Sequence, residues 1–124
     1  MFLHIVDSMT VEEVQDRFNE CFPFLTIAFF SVPHKRFQPT GDQYRYGPKE
    51  LIGNIRTNHV KGAMEIKSWF TVARVEKELW ERYGLHAQIY RLGADGEAVQ
   101  TTASDEFTLQ EQSQMVLEAQ RFAV

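Results

Sequence analysis

The sequence predicts an α+β domain with a ferredoxin-like βαββαβ antiparallel sheet, extended by a C-terminal hairpin strand and helix. Three observations lead there. Short alternating segments read as strands, two amphipathic segments with capping residues read as helices, and the first sixty residues match the rest. Leu3-His4-Ile5, then Met9-Thr10-Val11-Glu12-Glu13-Val14 and Phe18, Glu20 and Phe22 form the first copy. Sixty-one residues later come Met64-Glu65-Ile66, then Phe70-Thr71-Val72-Ala73-Arg74-Val75 and Leu79, Glu81 and Tyr83. With a one-residue slip, Leu25 to Phe30 matches Leu85 to Tyr90. The chain therefore reads as a single domain, 1–124, built from two related halves of about 1–60 and 61–124.

Each element has a local cause. Residues 2–7, 24–31, 62–67 and 85–92 alternate as strands do: Leu3 and Ile5 face one way and His4 and Val6 the other. Thr10 and Thr71 are good N-caps, because a hydroxyl accepts from the free N–H groups of a first turn. Glu13 suits a capping box with Thr10, and Met9 and Phe70 suit hydrophobic staples onto Val14 and Val75. Val11, Val14, Phe18 and Phe22 recur at helical spacing, as do Val72, Val75, Leu79 and Tyr83. Pro23 ends the first helix, and Gly84 suits the position after the second. Gly93 to Gly96 predicts a hairpin turn returning through Ala98 to Thr102, and Thr108 opens a last helix to about Ala119. A helix from Pro48 to about Thr57 would match it in the first half, although Gly53 weakens that segment. Interleaving the two βαβ units places the second strand beside the third.

The pattern Thr-Val-x-x-Val with its Phe- or Tyr-ended helix, together with Pro33-His34-Lys35, Ile52-Gly53-Asn54-Ile55-Arg56 and Phe107-Thr108-Leu109, resembles a family of small uncharacterised bacterial proteins. The resemblance spans most of the chain. Its motifs are structural, and it implies no catalytic residue.

Composition narrows the function classes. With 124 residues, 44% of them hydrophobic and 24% charged, the chain has enough apolar side chains for a core and is no disordered tail. The longest apolar run, Leu25 to Phe30, is broken by Thr26 and too short to span a membrane. The N-terminus has neither the basic region nor the cleavage site of a signal peptide. One cysteine, Cys21, can form no internal disulfide, and it reads as a packing residue late in the first helix. A cytoplasmic location is the expectation.

The formal net charge of −4 conceals an uneven distribution. Residues 1–33 hold one arginine against five acids, residues 34–67 seven cations against three acids, and residues 68–124 five cations against nine acids. The basic middle joins the second strand to the third. His34, Lys35, Arg36, Tyr44, Arg45, Tyr46, Arg56, His59 and Lys61 are its candidate binding residues. Cations beside aromatics suit phosphate contact and base stacking. The plain alternative is a solvated loop pinned by Tyr44 and Tyr46. An RNA-recognition surface is disfavoured, because Ala63 and Glu65 stand where its third strand needs aromatics.

No chemical motif appears: no metal-ligand spacing, no phosphate-binding glycine loop and no nucleophile elbow. Neither a catalytic residue, a metal nor a cofactor is assigned. The reading from sequence is a non-enzymatic protein-interaction or adaptor domain that uses the basic aromatic linker. Its partner is another protein or a second copy in a homodimer, with Phe30 and Tyr90 as a candidate exposed interface pair. The alternative is a binder of phosphorylated ligand or nucleic acid through the same linker. A small enzyme using His34 and His59 is a third reading, and it requires the two imidazoles to converge.

Overall fold

The first two residues of each helix are held by the segment that follows the strands of the same half. In the first half, the Val11 and Glu12 amides donate to the Glu50 and Pro48 carbonyls. In the second, the Val72 and Ala73 amides donate to Phe107 and Asp105. Returning bonds also match. Ile52 and Gly53 donate to Met9 and Asp7; Leu109 and Gln110 donate to Phe70 and Ser68. The helix starts of both halves are thus wired alike.

The computed structural model describes residues 1–33, 41–93, 98–101 and 104–122. In chain order they form β1 (Phe2–Ile5), α1 (Val11–Cys21), β2 (Leu25–Phe30), a 3-10 turn (Asp42–Tyr44), α2 (Ile52–Ile55), β3 (Gly62–Glu65), α3 (Val72–Tyr83), β4 (His86–Leu92), β5 (Ala98–Gln100) and α4 (Leu109–Phe122). The architecture is α+β. The described strands form two small antiparallel sheets, β1-β3 and β2-β4-β5. The ferredoxin-like order, with β2 beside β3, is not seen. β1 and β2 instead pair with their counterparts from the other half, β3 and β4. Leu3 lies opposite Met64, and Ala28 opposite Gln88, so equivalent residues meet as they do on the axis of a symmetric dimer.

The predicted caps are in place. The Glu13 amide donates to Thr10 Oγ1 at 3.2 Å, Arg74 to Thr71 at 3.1 Å and Glu111 to Thr108 at 3.0 Å. Glu111 returns a carboxylate oxygen to the Thr108 amide, which completes a capping box. Val11, Val14 and Phe18 of α1 and Val72, Val75, Leu79 and Tyr83 of α3 are buried. They join Leu3, Ile5, Ile27, Phe29, Met64 and Ile89 in one core drawn from both sheets. Each such side chain contributes roughly 1.5–3 kcal/mol on leaving water.

Three local expectations are corrected. The helix foreseen from Pro48 to Thr57 is a single turn, Ile52–Ile55. Leu51 makes a β-bridge to Thr10, and the Pro48 carbonyl is used by α1, so the chain before Ile52 is extended. Cys21 is exposed, because it lies off the stripe formed by Val11, Val14 and Phe18. Phe30 and Tyr90 are only 3% and 6% exposed. With Ala28 they form a second small cluster, and the Arg45 guanidinium lies 5.3 Å from the Tyr90 ring centre.

The outer edge of β2 is closed by side chains and by a short strand-like contact. Gln15 and Asn19 of α1 donate to the Ile27 and Leu25 carbonyls, both at 2.9 Å. The Tyr46 amide donates to Phe29, and the Ser31 amide to the Tyr44 carbonyl. Segment 44–46 thus stands beside β2 as β5 stands beside β4.

Gly84 ends α3 in the left-handed conformation, φ +67°. A Cβ there would lie 2.5 Å from the Asn58 backbone nitrogen. Gly84→Ala meets both backbone strain and a clash with main chain. It should destabilise the fold by more than about 1 kcal/mol, read as a lowered urea midpoint with an unchanged slope.

Candidate functional site

The basic linker residues separate into groups. His34, Lys35 and Arg36 lie outside the described residues, so the expected approach of His34 to His59 does as well. Tyr44 is exposed, while Tyr46 is partly buried against the core. Arg45 bridges to Phe30 and covers Tyr90. The contacts of this trio run to β2 and β4. Lys61 is exposed just before β3.

Arg56 and His59 belong to a different cluster, centred on Asp7. Arg56 Nε donates to Asp7 Oδ1 at 2.7 Å, and His59 Nδ1 lies 2.9 Å from Oδ2. Arg56 Nη2 is also 2.7 Å from Oδ1, but in ion-pair rather than hydrogen-bond geometry; neither Nη1 nor Nη2 has a hydrogen-bond acceptor. The Arg56 side chain is fully buried, whereas those of Asp7 and His59 are about half exposed. This guanidinium ties α2 to the end of β1 and is not offered to an outside anion. The approach is close: a Cβ on Gly53 would lie 2.7 Å from Asp7 Cβ. Desolvation pushes the Asp7 carboxyl up, but the hydrogen bonds and charges of Arg56 and His59 outweigh it. The group is held below its ordinary value of 3.8.

A pocket of about 310 Å³ opens between α3, the end of β2 and the start of β4. Phe30, Val32 and Pro33 form one wall, and Ala73, Lys77 and Trp80 of α3 another. Glu76, His86, Ala87 and Asp105 complete the lining. The Trp80 and His86 rings stack with centres 4.0 Å apart and planes 16° from parallel. Glu76 is 7% and Asp105 8% exposed. Glu76 Oε2 accepts from the Ile89 amide at 2.8 Å and from Gln88 Nε2 at 3.2 Å, which fixes the carboxylate against β4. Apolar walls with a few placed polar groups are the usual make-up of a ligand pocket.

Comparison of the halves isolates this pocket. By the register of the repeat, Glu76, Trp80 and His86 occupy the places of Gln15, Asn19 and Thr26. Asp105 takes the place of Pro48, since each accepts from the second residue of its helix. In the first half the two amides reach across to the β2 carbonyls. In the second, a carboxylate reaches the strand and an indole stacks on a histidine, and the cleft stays open. The linker-based sequence reading missed Trp80, His86, Glu76 and Asp105. The signal was present in the repeat itself, at the positions where one copy has small polar residues and the other has aromatic and acidic ones. Among the described residues, no group of three His, Cys, Asp or Glu is placed to hold a metal.

The lowered Asp7 carboxyl carries a pH dependence. A carboxylate whose folded pKa lies below its unfolded pKa adds stability that is complete above the unfolded value. That contribution is lost as pH falls through the folded value. Asp7→Asn should therefore lower the urea midpoint at pH 7, and the gap to wild type should close as the pH drops below the carboxylate range. A gap that stays constant from pH 7 to pH 2 would contradict the assignment.

Comparison of the chain with protein-family models, with curated proteins and with solved structures finds no match.

Proposed function

We propose that the protein is a non-enzymatic interaction module that seats a side chain of a partner protein in the pocket between α3, β2 and β4. The observation that carries this reading is the divergence of the two halves at that cleft. By the register of the repeat, Trp80, His86, Glu76 and Asp105 line this pocket at the places where the first half has Asn19, Thr26, Gln15 and Pro48. The partly exposed Trp80 and the buried Phe30 give the pocket an aromatic lining, and aromatic side chains are enriched at binding hot spots.

The Tyr44–Tyr46 segment extends the reading to the linker. Arg45 bridges to Phe30, and Phe30 also forms part of the pocket wall, so linker and pocket adjoin. An anion site is less well supported. Arg56 is committed to Asp7, and two of the pocket's charged groups are nearly buried carboxylates.

Ala73→Trp tests the proposal. Ala73 is half-buried on the first turn of α3 and lines the pocket, so an indole there occupies the cavity without entering the core. Wild type and Ala73→Trp serve as paired baits from the native cell. Any protein captured only by wild type is then purified and titrated against both. Loss of at least about ten-fold in affinity, equivalent to about 1.4 kcal/mol, with an unchanged thermal midpoint supports the pocket as the docking site. Equal capture and equal affinity would overturn it.

A further inference from the structure

We infer that the outer edge of β1 pairs with β1 of a second copy of this chain, antiparallel about a two-fold axis at Leu3. The hydrogen-bond alternation of the β1-β3 ribbon carries the inference. Met1 and Ile66 exchange both backbone bonds: the Met1 amine donates to the Ile66 carbonyl at 2.9 Å, and the Ile66 amide to the Met1 carbonyl at 2.8 Å. In an antiparallel ladder such pairs alternate with pairs whose amides and carbonyls point away from the partner strand. By the register, Leu3–Met64 and Ile5–Gly62 are therefore the bonded pairs. Phe2 and His4 turn their backbone groups to the outer edge of β1, and Ala63 and Glu65 turn theirs to the outer edge of β3. Among the described residues, none of these outward backbone groups has a hydrogen-bond partner within the chain.

The β2-β4 ribbon is finished differently. Outward carbonyls of β2 are taken by Gln15, Asn19 and Tyr46, and the outward Ile89 groups of β4 by Glu76 and Thr101. The two open edges of β1-β3 also differ from each other. Charged side chains on an edge discourage strand addition, lysine above all. β3 follows Lys61 and carries Glu65, which is ion-paired with Lys67. β1 is Phe2-Leu3-His4-Ile5, with no lysine, acid or proline, and Phe2 is 63% exposed. β1 is thus the edge left open to strand addition.

Self-complementarity selects a second copy as the occupant. With Leu3 facing Leu3 across the axis, Phe2 of each chain meets His4 of the other, and both pairs join outward backbone groups. Each exposed Phe2 ring gains an aromatic cross-strand neighbour. The chain already pairs with itself in this register. Across the β1-β3 ladder Leu3 faces Met64, its equivalent in the repeat, and Phe2 faces Glu65, the equivalent of His4. The product is one continuous sheet, β3-β1-β1-β3, closed by two-fold symmetry, whereas β1 added to β3 of a second copy would leave open ends and grow into chains. β1 contributes no residue to the pocket between α3, β2 and β4, so the two surfaces stand or fall separately.

Sedimentation equilibrium of the full chain, up to about 1 mM because so short an interface is weak, should show a reversible rise in mass that ends at two chains. A mixture of ¹³C-labelled and unlabelled chain should give an intermolecular NOE between Leu3 Hα protons, the close contact of a non-bonded antiparallel pair. His4→Pro removes an amide that points away from β3, so the internal ladder is kept and the edge is blocked. It should weaken dimerisation at least about ten-fold. Phe2→Lys leaves every backbone group in place and should weaken it through charge. Ala63→Pro, the matching change on the β3 edge, should leave the dimer intact. A single-chain mass at every concentration, growth beyond two chains, a dimer without the Leu3 contact, or one that withstands both β1 variants would overturn the inference.

Discussion

Among the described residues, β1 pairs with no strand of its own half, and β2 meets there only the short segment 44–46. A strand's amides and carbonyls must be hydrogen-bonded once they leave water. Here that need is met by the equivalent strand of the other half, β1 on β3 and β2 on β4. The core follows from the same constraint. Leu3 and Met64 sit opposite each other, as do Ile27 and Ile89, and the apolar stripes of α1 and α3 close over them in a single cluster. Neither half could bury its helix stripe so fully alone. The same pairing explains why β2 and β4 are buried along most of their length while β1 alternates buried and exposed residues.

Symmetry of this kind leaves freedom at the periphery. The hydrogen bonds that start each helix are held in common, and they fix where α1 and α3 lie over the strands. What each helix presents to its cleft is then open to change. Gln15 and Asn19 spend their amides on the β2 edge, which stiffens that side. On the other side Glu76 of α3 meets the strand's backbone through the Ile89 amide. Trp80, at the place of Asn19, stacks on His86 and lines a cavity. A pocket is thereby gained without disturbing the pairing that stabilises the fold.

The features legible in the sequence were those decided within a few residues. Thr10, Thr71 and Thr108 act as caps because a hydroxyl reaches an amide three residues on, a relation that spacing alone reveals. Gly84 could be placed after α3 for the same reason. Strand order was not legible. Alternation says which face of β2 is apolar but not whether β3 or β4 stands beside it, since either choice buries Ile27 and Phe29. Exposure of Phe30 and Tyr90 was misjudged because it depends on a contact fifteen residues along the chain, the bridge from Phe30 to Arg45. The pocket residues come from four separate segments, so no local motif contains them.

The two closing helices show how one half offsets a shorter element. α4 has 14 residues and buries Leu109, Gln112 and Val116. α2 has four residues, and Ile52 is its only buried side chain. A single turn has too few internal hydrogen bonds to persist by itself, so α2 must be held from outside. The hold is polar: the Gly53 amide donates to the Asp7 carbonyl, and Arg56, just past the turn, takes the Asp7 carboxylate. Gly53 makes this possible, since any side chain there would strike Asp7. In the second half Gln110 faces Ser68 across the equivalent bond, and a longer apolar helix carries the attachment. Arg56, which looked from sequence like part of a basic binding patch, therefore serves the fold. Its buried guanidinium replaces the packing that three further turns supply to α4.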